Sequence, residues 1–413
     1  MLRRDFVKSA GSLAMLPWLP TALRFDDHRR LPQYAEMAER LKDAPQITKD
    51  DFQARLAKLQ ENLSGHKLGG LFMEPSENLY YFMGWRFGRS ERLAAAFIPA
   101  TGLPFILGPA FEESRLREVS GSDKIYVWQE HESPYAVFAK IIGDQGRRTG
   151  TMAIEPTTRY FVTAGLAQAL PQMKFVNGDA VCNAQRMLKT EKEIALMRLS
   201  NDATEACIRQ TWTQIKSGMS EREVSRLLQQ NYAALGLSGG GLIQFGPSSA
   251  IPHGGASPRS LQPNDVVLMD SGTKVQSYTS DVTRTTVFGK ASPRHEEIWR
   301  LVHQAQSAGI AAAKPGVTCE SVDAAARQVI EEAGYGKYFV HRLGHGIGLE
   351  GHEAPYFAGN NKTILQPGMT LTVEPGIYIQ GEFGVRLEDD IVITENGCEL
   401  LTVRMEGIEP IRA

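Results

Sequence analysis

A pattern of two helices followed by two strands, repeated in the second half of the chain about 100 residues apart, constrains the fold most strongly. The first copy opens at a capping box formed by Thr190 and Glu193. The second copy opens at Ser292, a helix cap that is followed by proline at the first helical position. This duplication predicts an α+β domain over residues 190–413, built from two related units.

Each predicted pair of strands carries two carboxylates, Asp270 and Asp281 in the first pair and Glu374 and Glu388 in the second. The predicted strands are 266–270, 281–288, 370–374 and 384–394. A charge within an apolar strand must be paired, bound to a metal or neutralised. One such residue alone would more often be a salt-bridged strand residue, but four at corresponding places in a repeat indicate a shared site.

His345 lies between the two predicted strand pairs, in the segment GHGIGLEGHEAP. One imidazole among four carboxylates is an oxygen-rich ligand set that suits Mn²⁺, Co²⁺ or Zn²⁺. Two such ions can activate a water molecule and stabilise the oxyanion of an attacked amide. The pattern therefore predicts a hydrolytic metal site.

The first half, residues 30–185, is predicted to be an α/β domain. Its opening 30 residues are charged and have helical periodicity, and short apolar runs then alternate with turns from Gly69 to about Asp179. Its polar residues form no cluster with ligand spacing, which indicates a scaffold or a partner-facing domain.

Composition excludes several classes of protein. A chain of 413 residues with 42% hydrophobic and 22% charged residues is expected to form two or three globular domains. Its net charge of −2 lacks the basic excess of nucleic-acid-binding proteins. Its 4 cysteines show no paired spacing, which argues against a disulfide framework or a thiolate zinc site. Past residue 30 no apolar run is long enough to predict a membrane span.

Residues 1–25 have the features of a signal segment. Arg3 and Arg4 begin the sequence RRDFVK, which matches the twin-arginine pattern except at the preceding Leu2, and an uncharged stretch follows from Ser9 to Leu23. We expect export by the twin-arginine route to the periplasm or the cell exterior. No clear cleavage site follows, so the segment is equally compatible with removal and with retention.

Six motifs of the second half stand in the order found in a known family. They are IPHGG (251–255), VVLMDSG (266–272), SDVTRT (280–285), GHGIGLEGHEAP (344–355), TVEPGIY (372–378) and GVRLEDDIVIT (384–394). The chain resembles the pita-bread metallopeptidases of family M24, in the branch of Xaa-Pro aminopeptidase and Xaa-Pro dipeptidase (prolidase). The resemblance implies a creatinase-like α/β domain at 30–185 followed by a pita-bread catalytic domain at 190–413.

The resemblance also implies which residues perform the chemistry. The implied metal ligands are Asp270, Asp281, His345, Glu374 and Glu388. Asp281 and Glu388 would contact both ions, and Glu374 would also manage the proton of the attacking water. His253 and His352 would bind the substrate backbone and steady the tetrahedral intermediate.

Three further residues are candidates near the site. Arg386 lies two residues before Glu388 and is expected to be a buried counter-ion of the carboxylates. Thr283, beside Asp281, is expected to orient that carboxylate through its hydroxyl. His341 is compatible with a role in the site or in packing.

The predicted activity is metal-dependent hydrolysis of the bond between an N-terminal residue and proline. We expect two Mn²⁺ ions, with Co²⁺ or Zn²⁺ as alternatives, a peptide substrate and a homodimer. Dipeptides and longer peptides both remain open as substrates, because no arginine follows the H-E-A-P motif before Arg386. Methionine aminopeptidases lack a preceding α/β domain and are disfavoured. An amidohydrolase acting on small N-acyl or amino-acid derivatives, and a non-catalytic binding module, are the rival functions.

Overall fold

The computed structural model of the protein describes residues 31–255 and 258–412. The predicted signal segment, residues 1–25, lies outside the described residues. Within the described part, no helix is both long enough and apolar enough to cross a membrane.

The first half forms the predicted α/β domain. Its helices are α1 (Tyr34–Lys42), α2 (Lys49–Gly65), α3 (Glu77–Met83), α4 (Glu113–Ser120), α5 (Pro134–Asp144), α6 (Tyr160–Ala169) and α7 (Asp179–Arg186). Its strands are β1 (Gly70–Met73), β2 (Ala95–Pro99), β3 (Phe105–Pro109), β4 (Ile125–Trp128), β5 (Gly150–Ile154) and β6 (Met173–Asn177).

These strands form one mixed sheet in the order β4-β3-β2-β1-β5-β6. The β1–β2 and β2–β3 pairs are antiparallel, and the other pairs are parallel. Alternate residues of β1 enter different cores: Leu71 and Met73 pack on one face of the sheet and Phe72 on the other. Both faces are therefore covered, as expected for an α/β domain.

The second half contains the two predicted helix pairs. The helices are α8 (Glu191–Trp212), α9 (Glu221–Ala234), α10 (Pro293–Ala312) and α11 (Cys319–Glu332). The strands are β7 (Gly239–Phe245), β8 (Val266–Val275), β9 (Tyr278–Thr279), β10 (Val282–Val287), β11 (Gly344–Gly346), β12 (Glu353–Phe357), β13 (Thr370–Val373), β14 (Gly376–Ile379), β15 (Phe383–Arg386), β16 (Asp389–Ile393) and β17 (Cys398–Leu400).

Each helix pair is followed by its own sheet, so the duplicated order is confirmed. The first sheet has the order β10-β8-β7, with β9 paired to β8, and the second has the order β12-β11-β13-β16-β17. Strands β14 and β15 pair separately. The expected capping box at Thr190 forms, a second one forms between Ser220 and Glu223, and the two boxes fix where α8 and α9 begin.

Two predicted strands were wrong in extent. The predicted strand at 384–394 is two strands, β15 and β16, which belong to different sheets. Strand β15 ends before Leu387. The reason is that the backbone N–H of Glu388 donates to the carbonyl of Thr283, at 3.1 Å, instead of continuing the hydrogen bonds between β14 and β15. Strand β8 continues past its predicted end at Asp270, so this carboxylate lies inside the strand.

Candidate metal centre

Asp270 and Asp281 belong to the first sheet. Asp270 lies in β8, opposite Thr283 of β10, and Asp281 lies immediately before β10. The backbone N–H of Asp281 donates to Oδ2 of Asp390, at 3.2 Å, which holds the start of β10 against the second sheet. Strand β7 lies close to β8 at Asp270. A glycine at position 241 allows this approach, since a Cβ at Gly241 would lie 2.0 Å from the carbonyl oxygen of Asp270.

His345, Glu374 and Glu388 come from the second sheet and its edges. His345 lies in β11, Glu374 directly follows β13, and Glu388 occupies the break between β15 and β16. The hydroxyl of Thr372 accepts from the backbone N–H of His345, at 3.1 Å, and donates to Oε1 of Glu374, at 3.3 Å. One β13 residue thus positions both side chains.

The structure brings these five predicted ligands into one cluster. Nε2 of His345 lies 3.3 Å from Oε1 of Glu374 and 3.9 Å from Oδ2 of Asp281. Among residues 31–255 and 258–412, three groups of side chains have potential ligand atoms within 4.8 Å of one another. They are Asp281 with His345 and His352, His345 with Glu374 and Glu388, and Asp270 with Asp281 and Glu388.

Burial and mutual repulsion shift the pKa values of this cluster. Burial, followed by repulsion from Asp270, raises the pKa of Asp281 well above its usual value. Burial and then Asp281 do the same to Glu388, and burial raises the pKa of Glu374 to about 7. Burial lowers the pKa of His345 to about 3, which keeps its imidazole neutral and able to bind a metal.

Arg386 is a positive group within the cluster. Its side chain is buried, and Nη2 donates to Oδ2 of Asp270 at 2.6 Å. Nη1 donates to the hydroxyl of Tyr378 at 2.8 Å, and Nε donates to Oγ1 of Thr283 at 3.2 Å. Arg386 therefore balances one of the four carboxylate charges and orients its neighbours.

The hydroxyl of Thr283 contacts a different carboxylate from the one expected. Oγ1 of Thr283 donates to Oε2 of Glu388, at 2.6 Å, rather than to Asp281. The backbone bond between Glu388 and the carbonyl of Thr283 brings those two residues together, so the expected partner was wrong. Thr283 thus links Arg386 to Glu388.

Of the three other predicted histidines, His352 lies against the cluster and His341 is joined to it through Tyr378. The ring of His352 lies 3.8 Å from that of His345, centre to centre, and its Nδ1 faces Nη2 of Arg342 at 3.3 Å. Nε2 of His341 lies 2.9 Å from the hydroxyl of Tyr378. His253 is exposed. Burial lowers the pKa of His341 to about 4 and also lowers the pKa of His352.

Sequence reasoning did not single out Tyr378, Arg342 or Glu353. Tyr378 joins Arg386 to His341, and Arg342 contacts His352. Glu353 is buried and accepts from Arg186 and Lys189. Tyr378 lies within the motif TVEPGIY and Glu353 within GHGIGLEGHEAP. These positions could have identified both residues as candidates for the site.

The donor set fits divalent cations. Four carboxylates lie together with the guanidinium of Arg386, so full ionisation would leave an excess of negative charge that bound cations would balance. Carboxylates with one neutral imidazole are ligands that Mn²⁺, Co²⁺ and Zn²⁺ accept.

Comparison with known proteins agrees with this arrangement. Residues 195–395 match the family model for metallopeptidase family M24, and residues 55–188 match that for the creatinase/prolidase N-terminal domain. An uncharacterized peptidase of Staphylococcus aureus is 33% identical over 354 residues, which are 84% of this chain and 98% of the relative. The chain belongs to metallopeptidase family M24.

Solved structures of the family have the same fold. A dipeptidase, PepE, from Mycobacterium ulcerans matches with a TM-score of 0.84 at 33% identity, covering 89% of this chain and 100% of that one. A prolidase from Thermococcus sibiricus matches with a TM-score of 0.80 at 32% identity, covering 88% and 99%. The creatinase-like domain followed by a pita-bread domain is thereby confirmed.

Proposed function

We propose that the protein hydrolyses the peptide bond between an N-terminal residue and proline, with two divalent metal ions held by Asp270, Asp281, His345, Glu374 and Glu388. The convergence of these five side chains from two sheets carries the proposal. The prolidase from Thermococcus sibiricus, at 32% identity, supports the choice of an Xaa-Pro bond. Bound divalent ions would supply Lewis-acid chemistry, polarising the scissile carbonyl and making a water molecule more acidic.

The chain's own residues would orient the reactants. Because an arginine N–H can only donate, Nδ1 of His352 accepts from Arg342, and the ring proton is on Nε2. His352 can therefore donate a hydrogen bond to the substrate beside His345. Glu374 would accept the proton of the attacking water. His253, on an exposed loop, is available to contact the substrate.

Peptide hydrolysis by metal-loaded and metal-free protein tests the proposal. Purified protein would be treated with a chelator, reloaded with Mn²⁺, Co²⁺ or Zn²⁺, and given Ala-Pro, Ala-Pro-Ala and Ala-Ala-Ala. We expect cleavage before proline that disappears with the chelator and in Asp281→Ala. Asp144→Ala, which changes an exposed carboxylate of α5, is the matched control and should stay active.

Two outcomes would contradict the proposal. Cleavage that persists after complete metal removal would exclude the metal-dependent reaction. Failure to cleave any of the peptides with two ions bound per chain would exclude the Xaa-Pro peptidase and leave the small-molecule amidohydrolase.

We also propose export through residues 1–25, which the twin-arginine pattern at Arg3 and Arg4 supports. Replacing both arginines with lysine in a twin-arginine-competent bacterial host should retain the protein in the cytoplasm. Unchanged export of that variant would contradict the proposal.

A further inference from the structure

Two polar side chains of α8 are buried beside the segment that carries Asp281. Asn201 and Thr204 lie in the middle of this helix, and neither side chain is exposed to solvent. They are three positions apart, so they lie on the same face of the helix. Buried polar groups cost free energy unless they form hydrogen bonds, so the partners of these two side chains indicate their role.

Asn201 binds the carboxylate that holds the backbone of Asp281. Its Nδ2 donates to Oδ2 of Asp390 at 2.9 Å, and the same oxygen accepts from the backbone N–H of Asp281 at 3.2 Å. The other oxygen of Asp390, Oδ1, is buried and has no hydrogen-bond partner in the described part of the chain. Asn201 therefore supplies one of the two donors that the described residues offer to this carboxylate.

A second hydrogen bond fixes the orientation of the Asn201 side chain. Nδ2 also donates to the carbonyl of Met197, one turn earlier in α8, at 3.0 Å. Both N–H groups of the amide are then engaged, and the side chain is a fixed link between the helix and Asp390. Because asparagine is a poor helix former, the helix itself does not account for this residue.

Thr204 binds the residue that precedes Asp281. Oγ1 of Thr204 lies 2.8 Å from Oγ of Ser280. The backbone N–H of Thr273, in β8, donates to the same Oγ of Ser280 at 3.2 Å. Ser280 is thus joined to α8 on one side and to β8 on the other.

These contacts hold the peptide unit between Ser280 and Asp281 at both ends. Asp281 lies immediately before β10 and outside its pairing with β8, so the strand pairing does not fix the backbone N–H of Asp281. A shift of this peptide unit would move the carboxylate of Asp281. Metal sites tolerate ligand displacements of only about 0.2 Å, so such a shift would weaken metal binding.

We propose that Asn201 and Thr204 are positioning residues that hold Asp281 in place for metal binding, through Asp390 and Ser280. The inference rests on the metal-dependent function proposed above. It extends the metal centre to α8, a helix that carries none of the five predicted ligands.

Metal titration of four variants tests this role. Chelator-treated protein would be titrated with Mn²⁺ in a calorimeter, and the visible absorption spectrum would be recorded after loading with Co²⁺. We expect Asn201→Leu and Thr204→Val to weaken Mn²⁺ binding by on the order of tenfold and to change the Co²⁺ spectrum. Thr204→Ser keeps the hydroxyl and should match the wild type. Ser200→Ala is the matched control on α8, since its buried hydroxyl donates to the carbonyl of Met197 within the helix, at 2.9 Å.

Thermal unfolding of the metal-free variants separates positioning from packing. A lower unfolding temperature with unchanged Mn²⁺ affinity in both Asn201→Leu and Thr204→Val would show that α8 only packs against the sheet, and would overturn the proposal. Equal losses of affinity in Thr204→Val and in Thr204→Ser or Ser200→Ala would overturn it as well. If Asn201→Leu does not fold, the comparison of Thr204→Val with Thr204→Ser decides. A wild type that binds no Mn²⁺ would instead refute the metal site on which the inference rests.

Discussion

At the scale of single residues, the site depends on hydroxyl groups that join charges of opposite sign. Thr283 accepts from Arg386 and donates to Glu388, so one hydroxyl orients a predicted ligand and its counter-ion together. Partners of this kind commonly change metal affinity by about 10- to 100-fold when they are removed.

Thr283→Val should therefore weaken metal binding by about 10- to 100-fold with little change in shape. Thr286→Val is a matched control on the same strand, since its hydroxyl donates to the carbonyl of Glu409, outside the cluster. Calorimetric titration of the chelator-treated protein with Mn²⁺ measures the effect. Equal affinities for the two variants would contradict the role of Thr283.

His303 is expected to make the protein less stable in acid. Burial, followed by repulsion from Arg404, lowers the pKa of His303 to about 4, and its ring stacks on Trp299. The folded state then binds fewer protons than the unfolded state, so the free energy of unfolding decreases as the pH falls below about 6.5 and levels off below about 4. Allowing for partial contact with solvent, the loss is about 1–2 kcal/mol.

His303→Gln should remove this part of the pH dependence. Urea unfolding of the metal-free protein at pH 7.5 and 5 would measure it, because metal release at low pH cannot then contribute. His131→Gln, which changes an exposed histidine, should keep the wild-type slope. A slope in His303→Gln equal to that of the wild type would refute the assignment.

The sequence could predict which residues converge but not all of their contacts. The carboxylates were recognisable because charge inside apolar strands needs a reason. Three contacts depend on how separate strands pack, which neighbouring sequence does not encode. They are those of Thr283 with Glu388, Tyr378 with His341 and Arg342 with His352.

At the scale of elements, the close approach of β7 to β8 sets the position of Asp270. Gly241→Ala would place a Cβ 2.0 Å from the carbonyl of Asp270, so the strands must separate. Gly240→Ala is the matched control, since its added Cβ would meet only Gln229, at 3.6 Å.

We expect Gly241→Ala to lose about 1–3 kcal/mol of stability and most of the metal affinity. Gly240→Ala should lose less than about 1 kcal/mol. Thermal unfolding and Mn²⁺ titration measure both properties. The interpretation fails if both variants bind Mn²⁺ like the wild type.

Elements with local signals were predicted well, and elements set by tertiary hydrogen bonds were not. The capping boxes at Thr190 and Ser220 determine where α8 and α9 begin, through hydrogen bonds between residues three positions apart. The break at Glu388 depends on a backbone bond to Thr283, about 100 residues earlier in the chain. The segment from Val385 to Thr394 contains no glycine or proline to mark a break, so its apolar residues on both sides of Glu388 predict one continuous strand.

At the scale of the whole molecule, a buried ionic cluster ties α7 of the first half to the catalytic half. Glu353 accepts from Nζ of Lys189 at 2.7 Å and from Nη2 of Arg186 at 2.5 Å. These two cations lower the pKa of Glu353 against the opposing effect of burial. Glu353 directly follows His352, so the cluster also fixes the loop that carries this imidazole.

Glu353→Gln should lower the free energy of unfolding by about 3–5 kcal/mol, because it leaves two buried cations without their shared carboxylate. It should also lower kcat, through displacement of His352. Glu350→Gln, which removes a partly exposed partner of the same Arg186, should cost less than about 1 kcal/mol. Thermal unfolding and peptide hydrolysis would be measured for both variants. Equal losses of unfolding free energy in the two variants would contradict a special role for the buried carboxylate.

The same cluster limits how segments of related proteins can be recombined. A chimera whose junction falls between Arg186 and Lys189 would draw the two cations from different parents, although both must fit one carboxylate. A junction at Thr190, immediately before α8, keeps both cations on the transplanted segment. A block that ends after Lys189 therefore needs a recipient with a glutamate at the place of Glu353 and, because buried Arg55 pairs with Glu193 across the junction, a glutamate at the place of Glu193 as well.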